Sequence, residues 1–385
     1  MMRLLLLLGV LVLSGCASDG DVLEPAELTE YPARAEIKTV WKTNPGGANV
    51  NAAEFFVPHL DADAIFTVNR QGEIVRSNKA DGEEVWRKSF EVSFLAGLSG
   101  TSDTLFATTF EGELLAVKKA DGDLRWRREF GVESLAPPAT TANGDTLVLQ
   151  TNDGMLIGLN VSDGAEIWRY TYQKPVLTLH GYATPLIVPG GVLAGLDDGS
   201  LVALTISDGR MIWQSQVSRA EGRSEIERMV DVDGKIVIDQ QYIYAVNYQG
   251  KLVQLEPQQG KTLWSRDMTS TSGVSVDDKW VYVTEPDGYV WALDKRTGSS
   301  MWKMEKLEGR RLTRPVPYRD YVLVGDLEGY VHILSKFDGS LVARSRVDNA
   351  PIVSDPIVDG DKLYVQSRAG VLRQLQIDSL LGDQP

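Results

Sequence analysis

Few residues in this chain are equipped for chemistry. Its 385 residues include one Cys, at position 16, and three His, at 59, 180 and 332. A lone thiol is a nucleophile and an acylation point, but it forms no intramolecular disulfide. Three scattered imidazoles show none of the spacings by which His and Cys close around zinc. Carboxylates are adjacent at Asp197-Asp198 and Asp277-Asp278, and one residue apart at Asp231 and Asp233. Paired carboxylates can serve as general acid and base. The two adjacent pairs, however, fall where hairpin turns are expected, and Asp suits turns because its carboxylate bonds nearby backbone N–H groups. Asp231 and Asp233, two apart, share one side of an extended chain. No Gly-x-Gly, Walker or Gly-x-Ser-x-Gly sequence occurs. The dinucleotide fingerprint, the P-loop and the hydrolase elbow are therefore missing. The expectation is a chain with no catalytic residue, no metal and no cofactor.

The elements that must carry these residues repeat. A Gly-x-apolar half-motif recurs at Gly72, Gly112, Gly154, Gly199, Gly250, Gly288, Gly329 and Gly370, at steps of 40, 42, 45, 51, 38, 41 and 41 residues. A period near 40 marks a solenoid or a propeller. A second half-motif, Asp-Gly-x-x-x-Trp or a close variant, ends at Trp86, Trp126, Trp168, Trp213, Trp264 and Trp302, and a seventh copy ends at Ala343. An orphan second half, Ala35-Glu-Ile-Lys-Thr-Val-Trp41, stands near the start. First and second halves balance only if the N-terminal strand completes the last C-terminal blade, which is how a ring closes. The expected fold is all-β: an eight-bladed propeller of four-stranded antiparallel blades over residues 33–378. The third blade should use strands near 139–142, 145–150, 154–159 and 165–170. The last should use 352–358, 361–367 and 370–377 with 35–42. The repeated Trp residues are expected to pack between neighbouring blades and not to form an aromatic ligand box.

Residues 1–15 read as a targeting segment, with Arg3 ahead of the apolar run 4–13. That run is too short to span a bilayer, which takes ~20 residues. Leu13-Ser14-Gly15-Cys16 is similar to the bacterial lipobox and implies cleavage before Cys16 and its acylation. Ala17 stands where inner-membrane retention would place Asp, so the outer membrane is the expected address, on its periplasmic face. Residues 16–32 carry five carboxylates and two prolines and read as a flexible acidic tether, with a reach of at most roughly 50 Å. Residues 379–385 form a short tail. A net charge of −14 argues against nucleic acid, whose phosphates need clustered Lys and Arg.

Two repeat steps are long, and the surplus falls at residues 172–182 and 216–234. Both follow a blade's Trp strand, so both emerge on the same face of the ring, and neighbouring insertions on one face make a docking surface. Val176, Leu177 and Leu179 look too apolar for a solvated loop, and Val176–Leu179 has the makings of an edge strand for β-addition.

Lipobox, acidic tether, eight Trp-type blades and two placed insertions together resemble the BamB family, the propeller lipoproteins of the outer-membrane β-barrel assembly machinery. The resemblance covers about residues 13–378. It implies a non-catalytic scaffold that binds the POTRA repeats of BamA and assists insertion of barrel proteins, with nascent barrel proteins as clients. A Leu-x-Leu-Arg segment of the family is matched by Leu177, Leu179 and His180, with His180 in place of Arg. An Asp-x-Asp segment is matched by Asp231 and Asp233. The leucines are implied to bury against the partner and the aspartates to pair with its cations. Residues 292–302 are also similar to the docking motif of pyrroloquinoline-quinone dehydrogenases, which implies a second, enzymatic reading. Those enzymes commonly carry a Cys-Cys pair, and this chain has one Cys. A scaffold of another envelope complex is the third reading.

Overall fold

The computed structural model describes residues 23–47, 56–179, 181 and 183–380. Among the described residues, thirty-two strands form eight four-stranded sheets. All neighbours within a sheet are antiparallel, as in blade 1, where His59–Leu60, Ala64–Val68, Glu73–Asn78 and Glu84–Ser89 follow in order. The third blade uses Ala139–Thr140, Thr146–Thr151, Met155–Asn160 and Glu166–Thr171. The eighth combines Ile357–Asp359, Lys362–Gln366 and Leu372–Ser379 with Ala35–Thr43 from the other end. In that closure Ala35 pairs with Ser379 and Thr43 with Leu372. Its innermost strand begins at 357, five residues later than expected, because Pro351 and Pro356 interrupt backbone pairing.

The middle strands of each blade are buried on both faces, as at Ala64–Val68 and Thr104–Thr108. The outer strands alternate or are largely exposed, as at Leu124–Glu129. Apolar clusters lie between consecutive blades, for example Leu201, Ala203, Trp213, Ile243, Val253 and Leu255 between blades 4 and 5. Burial between blades is thus what holds the ring.

The Trp repeat joins blades by one recurring contact. All seven indoles donate N–H to a backbone carbonyl of the next blade, as Trp41 to Lys79, Trp168 to Ile206 and Trp213 to Pro257. Each ring also lies on the Gly that turns the last hairpin of that next blade. At Gly260 the φ is +67°, and a Cβ would stand 2.5 Å from Trp213 Cε3. The glycine is therefore needed twice over, for the left-handed turn and for room under the neighbour's indole. Ala343 becomes intelligible on the same ground. It faces blade 8, whose last two strands come from opposite chain ends and have no hairpin glycine to cover. There the Arg34 N–H donates to the Val342 carbonyl instead, at 2.9 Å.

The tether expectation needs correction. Residues 23–32 lie on the ring. The Ala26 N–H donates to the Glu308 carbonyl at 2.8 Å, and Arg310 Nη1 donates to the Ala26 carbonyl at 2.9 Å. Leu28 and Tyr31 pack against the core between blades 6 and 7, with the Arg344 guanidinium 5.6 Å from the Tyr31 ring centroid. The two apolar side chains and the Arg310 bond to Ala26 together tie the segment down. Cys16 and the remainder of the expected tether lie outside the described residues.

A candidate partner-docking site

The two insertions are built by different means and meet. The first leaves the strand Glu166–Thr171 and is pinned at its start by Lys174. The Lys174 ammonium donates to the Asn152 carbonyl at 2.8 Å and lies 3.4 Å from Asp197 Oδ2. Beyond Pro175 the chain bends outward, leaving Val176 95% exposed and Leu177 38% exposed. Thr178 turns inward, and Leu179 is half-buried and borders the central cavity of the ring, about 880 Å³, with Pro185, Ile236 and Leu312. Val176–Leu179 is not a strand. Its predicted readiness for β-addition fails for a physical reason, since the Leu179 N–H that an added strand would engage is already donated to Asp231 Oδ1 at 2.9 Å. His180 lies outside the described residues.

The second insertion has an exposed outer part, residues 219–228. It is closed by a reciprocal cap in which Glu227 accepts the Arg223 and Ser224 N–H groups, while the Glu227 N–H donates to Ser224 Oγ. Ile226 stands out from this turn, 62% exposed. The returning segment alternates. Val230 and Val232 bury into the ring, with Val232 in the core between blades 4 and 5. Asp231 and Asp233 point the other way, toward the first insertion.

The aspartates therefore sit beneath the loop. Asp231 is 0% exposed and holds the Leu179 amide. Asp233 accepts the Gly181 N–H and lies so close to Gly181 that a Cβ there has no space. Pairing of Asp231 with a partner's cation, as the resemblance implied, would require removing it from this burial. In the free chain it braces the loop from inside. Asp197, expected only as a turn residue, joins them. The three carboxylates offer oxygens within 4.8 Å of one another. Tyr172 donates its hydroxyl to Asp197 Oδ2 at 3.1 Å. Burial raises the Asp231 pKa, and the Leu179 N–H opposes it. Asp233 is pushed up to about 8, first by burial and then by the charges of Asp231 and Asp197. The Tyr172 phenol is pushed up by burial and by Asp197.

The other expected carboxylate pair behaves as a turn. Asp277 accepts the Lys279 and Trp280 N–H groups at 2.9 and 2.8 Å and pairs with Lys336 at 2.9 Å.

A family model described as outer membrane protein assembly factor BamB matches residues 70–304 and 304–381. A Vibrio cholerae serotype O1 protein named outer membrane protein assembly factor BamB is 36% identical, covering 97% of this chain and 98% of its own. The chain belongs to the BamB family. The crystal structure of BamB from Moraxella catarrhalis superposes with a TM-score of 0.80 at 28% identity, over 89% of this chain and all of that one. The family resemblance drawn from the lipobox, blades and insertions is thereby shown, as is the eight-bladed fold. A quinohemoprotein alcohol dehydrogenase from Comamonas testosteroni superposes with a TM-score of 0.71 at 10% identity, covering 88% of this chain and 76% of that one. At that identity the likeness is one of fold alone.

Sequence reasoning singled out Val176, Leu177, Leu179, Asp231 and Asp233, and the structure leaves Val176 the most exposed apolar residue of the loop. It missed Ile226, Lys174, Tyr172 and Asp197. Ile226 was legible as an apolar residue inside the charged run 219–228. The links from Asp197 to Tyr172 and Lys174 cross from one blade to the next and have no signal in spacing.

Proposed function

We propose that this chain is a non-catalytic scaffold lipoprotein of the outer-membrane β-barrel assembly machinery. Acylated Cys16 holds it to the periplasmic face of the outer membrane. The tip of the first insertion, Val176 and Leu177, docks on the POTRA repeats of BamA, with Leu179 beside it. Asp231 and Asp233 act as positioning residues that fix the tip.

The observation that carries this reading is the convergence of the two insertions on one face. An apolar tip is exposed while its backbone is bonded to buried carboxylates of the second insertion. A preorganised apolar anchor binds without the entropy cost of ordering a loop. Full-length relation to proteins named as assembly factors supports the same assignment. Exposed rim charges contribute little to such an interface, so the apolar tip should dominate.

An affinity pull-down of the acylated chain from detergent-solubilised outer membranes tests the reading. Recovery of BamA, lost in a Val176→Asp/Leu177→Asp variant with unchanged melting, is the expected result. A folded bait that recovers another envelope complex and no BamA sinks it.

A further inference from the structure

The carboxylate cluster under the docking loop is built more like a ligand shell than a bracing network. We propose that Asp197, Asp231 and Asp233, with the Gln150 amide oxygen, form a binding site for one hard divalent cation, Ca²⁺ foremost, that ties the two insertions together. Four observations carry it.

First, the three carboxylates come from blade 4 and the second insertion and still place oxygens within 4.8 Å of one another, a spacing one ion can bridge. Second, the oxygens are not spent. Asp231 is fully buried, yet among the described residues its Oδ2 has no hydrogen-bond partner, and the same holds for Asp233 Oδ2. Orphaned oxygens in buried carboxylates are costly, and an ion is a regular way of satisfying them. Third, Gln150 brings an independent neutral oxygen. Its Nε2 donates to the Gly195 carbonyl at 3.0 Å and to Tyr172 Oη at 3.3 Å, and its buried Oε1 has no hydrogen-bond partner among the described residues. Gln150, Asp197 and Asp233 line one pocket of about 30 Å³, room for an ion or a water and little else. Fourth, the charge count suits a divalent ion. With all three carboxylates ionised, the Lys174 ammonium beside Asp197 leaves two negative charges for it to neutralise.

The donor set selects the metal class. Carboxylate and amide oxygens without sulfur are hard donors and suit Ca²⁺ or Mg²⁺ over zinc or copper. An irregular shell built around side chains from separate elements suits the flexible coordination of Ca²⁺ better than the strict octahedron of Mg²⁺. Asp231 reaches the loop through the Leu179 amide, so an ion here stiffens the docking tip. That consequence rests on the docking reading above, whereas the site itself does not.

The test uses the purified full chain, stripped with EDTA, without any partner. Calorimetric titration with CaCl₂ should show one site with an affinity of about 0.1–1 mM, the range of weak extracytoplasmic calcium sites. A saturable rise in melting temperature should accompany it. MgCl₂ should act more weakly, and NaCl at equal ionic strength not at all. Asp233→Asn and, separately, Gln150→Ala should each weaken calcium binding by about tenfold or more. Asp278→Asn, a carboxylate in the blade 6 turn, should leave it unchanged. The Gln150→Ala variant and the wild-type titration keep the test decisive if Asp233→Asn does not fold. No calcium heat and no saturable melting shift in the wild type overturns the proposal. So does an equal response in Asp233→Asn or Gln150→Ala. BamA binding that persists without calcium sinks only the link to docking.

Discussion

Trp213→Ala and Gly260→Ala, alone and combined, give a sharp test of how the blades are held. Trp213 is buried against blade 5, donates its N–H to the Pro257 carbonyl at 2.8 Å and covers Gly260. Burying an indole removes ~150–250 Å² from water, an upper bound of about 4–6 kcal/mol at ~25 cal/mol/Å². Truncations of buried Trp cost about 3–5 kcal/mol, and the lost hydrogen bond of roughly 1 kcal/mol lies within that range. Gly260→Ala carries two separate costs. Its φ of +67° is unfavourable for Ala by roughly 1–2 kcal/mol. The new Cβ must also displace the Trp213 ring, 2.5 Å from where it would sit. In the Trp213→Ala background only the first cost remains. The double variant should therefore be more stable than the sum of the singles predicts, by about 1–3 kcal/mol. Urea melts of the four proteins read this directly. Additivity within ~0.5 kcal/mol would refute the staple. A Trp213→Ala protein as stable as wild type would refute the inter-blade role altogether.

Three further outcomes are expected. Asp231→Ala should free the Leu179 amide, raising its hydrogen exchange and weakening BamA binding by about tenfold, in line with a lost charged hydrogen bond of ~1.5 kcal/mol; an unchanged exchange rate contradicts the bracing role. Burial first and the Lys119 charge second lower the His59 pKa to about 4. The folded imidazole thus stays neutral where the unfolded one takes a proton, and stability should fall as pH drops from about 6.5 toward 4, by at most ~3 kcal/mol; His59→Gln should flatten that limb of a pH–melting profile, and an unaltered limb counts against it. Arg310→Ala should release residues 23–32 from the ring, because Arg310 is held by Asp326 and Glu328 and donates to the Ala26 carbonyl; proteolysis near Leu28 should quicken, and equal resistance would show that Leu28 and Tyr31 suffice alone.

The ring was legible because its signal is periodic. Eight glycines in phase and one orphan Trp strand before the first of them leave closure as the consistent topology, and the strand Ala35–Thr43 pairs where that count requires. The Trp–Gly staple was half visible. Each Trp was placed between blades, but its covering of the next blade's Asp-Gly turn is a contact across about 40 residues that no local rule predicts. The first insertion was singled out from its apolar residues and misread in its backbone, because the sequence does not show that Asp231 occupies the Leu179 amide. Asp197 was hidden for a similar reason. In sequence it is one more turn aspartate, and only the stacking of blades 3, 4 and 5 brings it to Asp233 and Gln150. The strap at 23–32 was taken for tether because acidic, proline-bearing composition outweighed Leu28 and Tyr31, whose partners lie about 280 residues away.

The most direct test of the docking account is the affinity of the purified chain for a soluble POTRA fragment of BamA, measured by titration calorimetry beside the Val176→Asp/Leu177→Asp variant. Both substitutions are at exposed positions, so the variant should melt as the wild type does. The account predicts that the wild type binds and that the variant loses at least about tenfold in affinity, near 1.4 kcal/mol. Equal affinity in the two proteins, or no binding by a folded wild type, would contradict it.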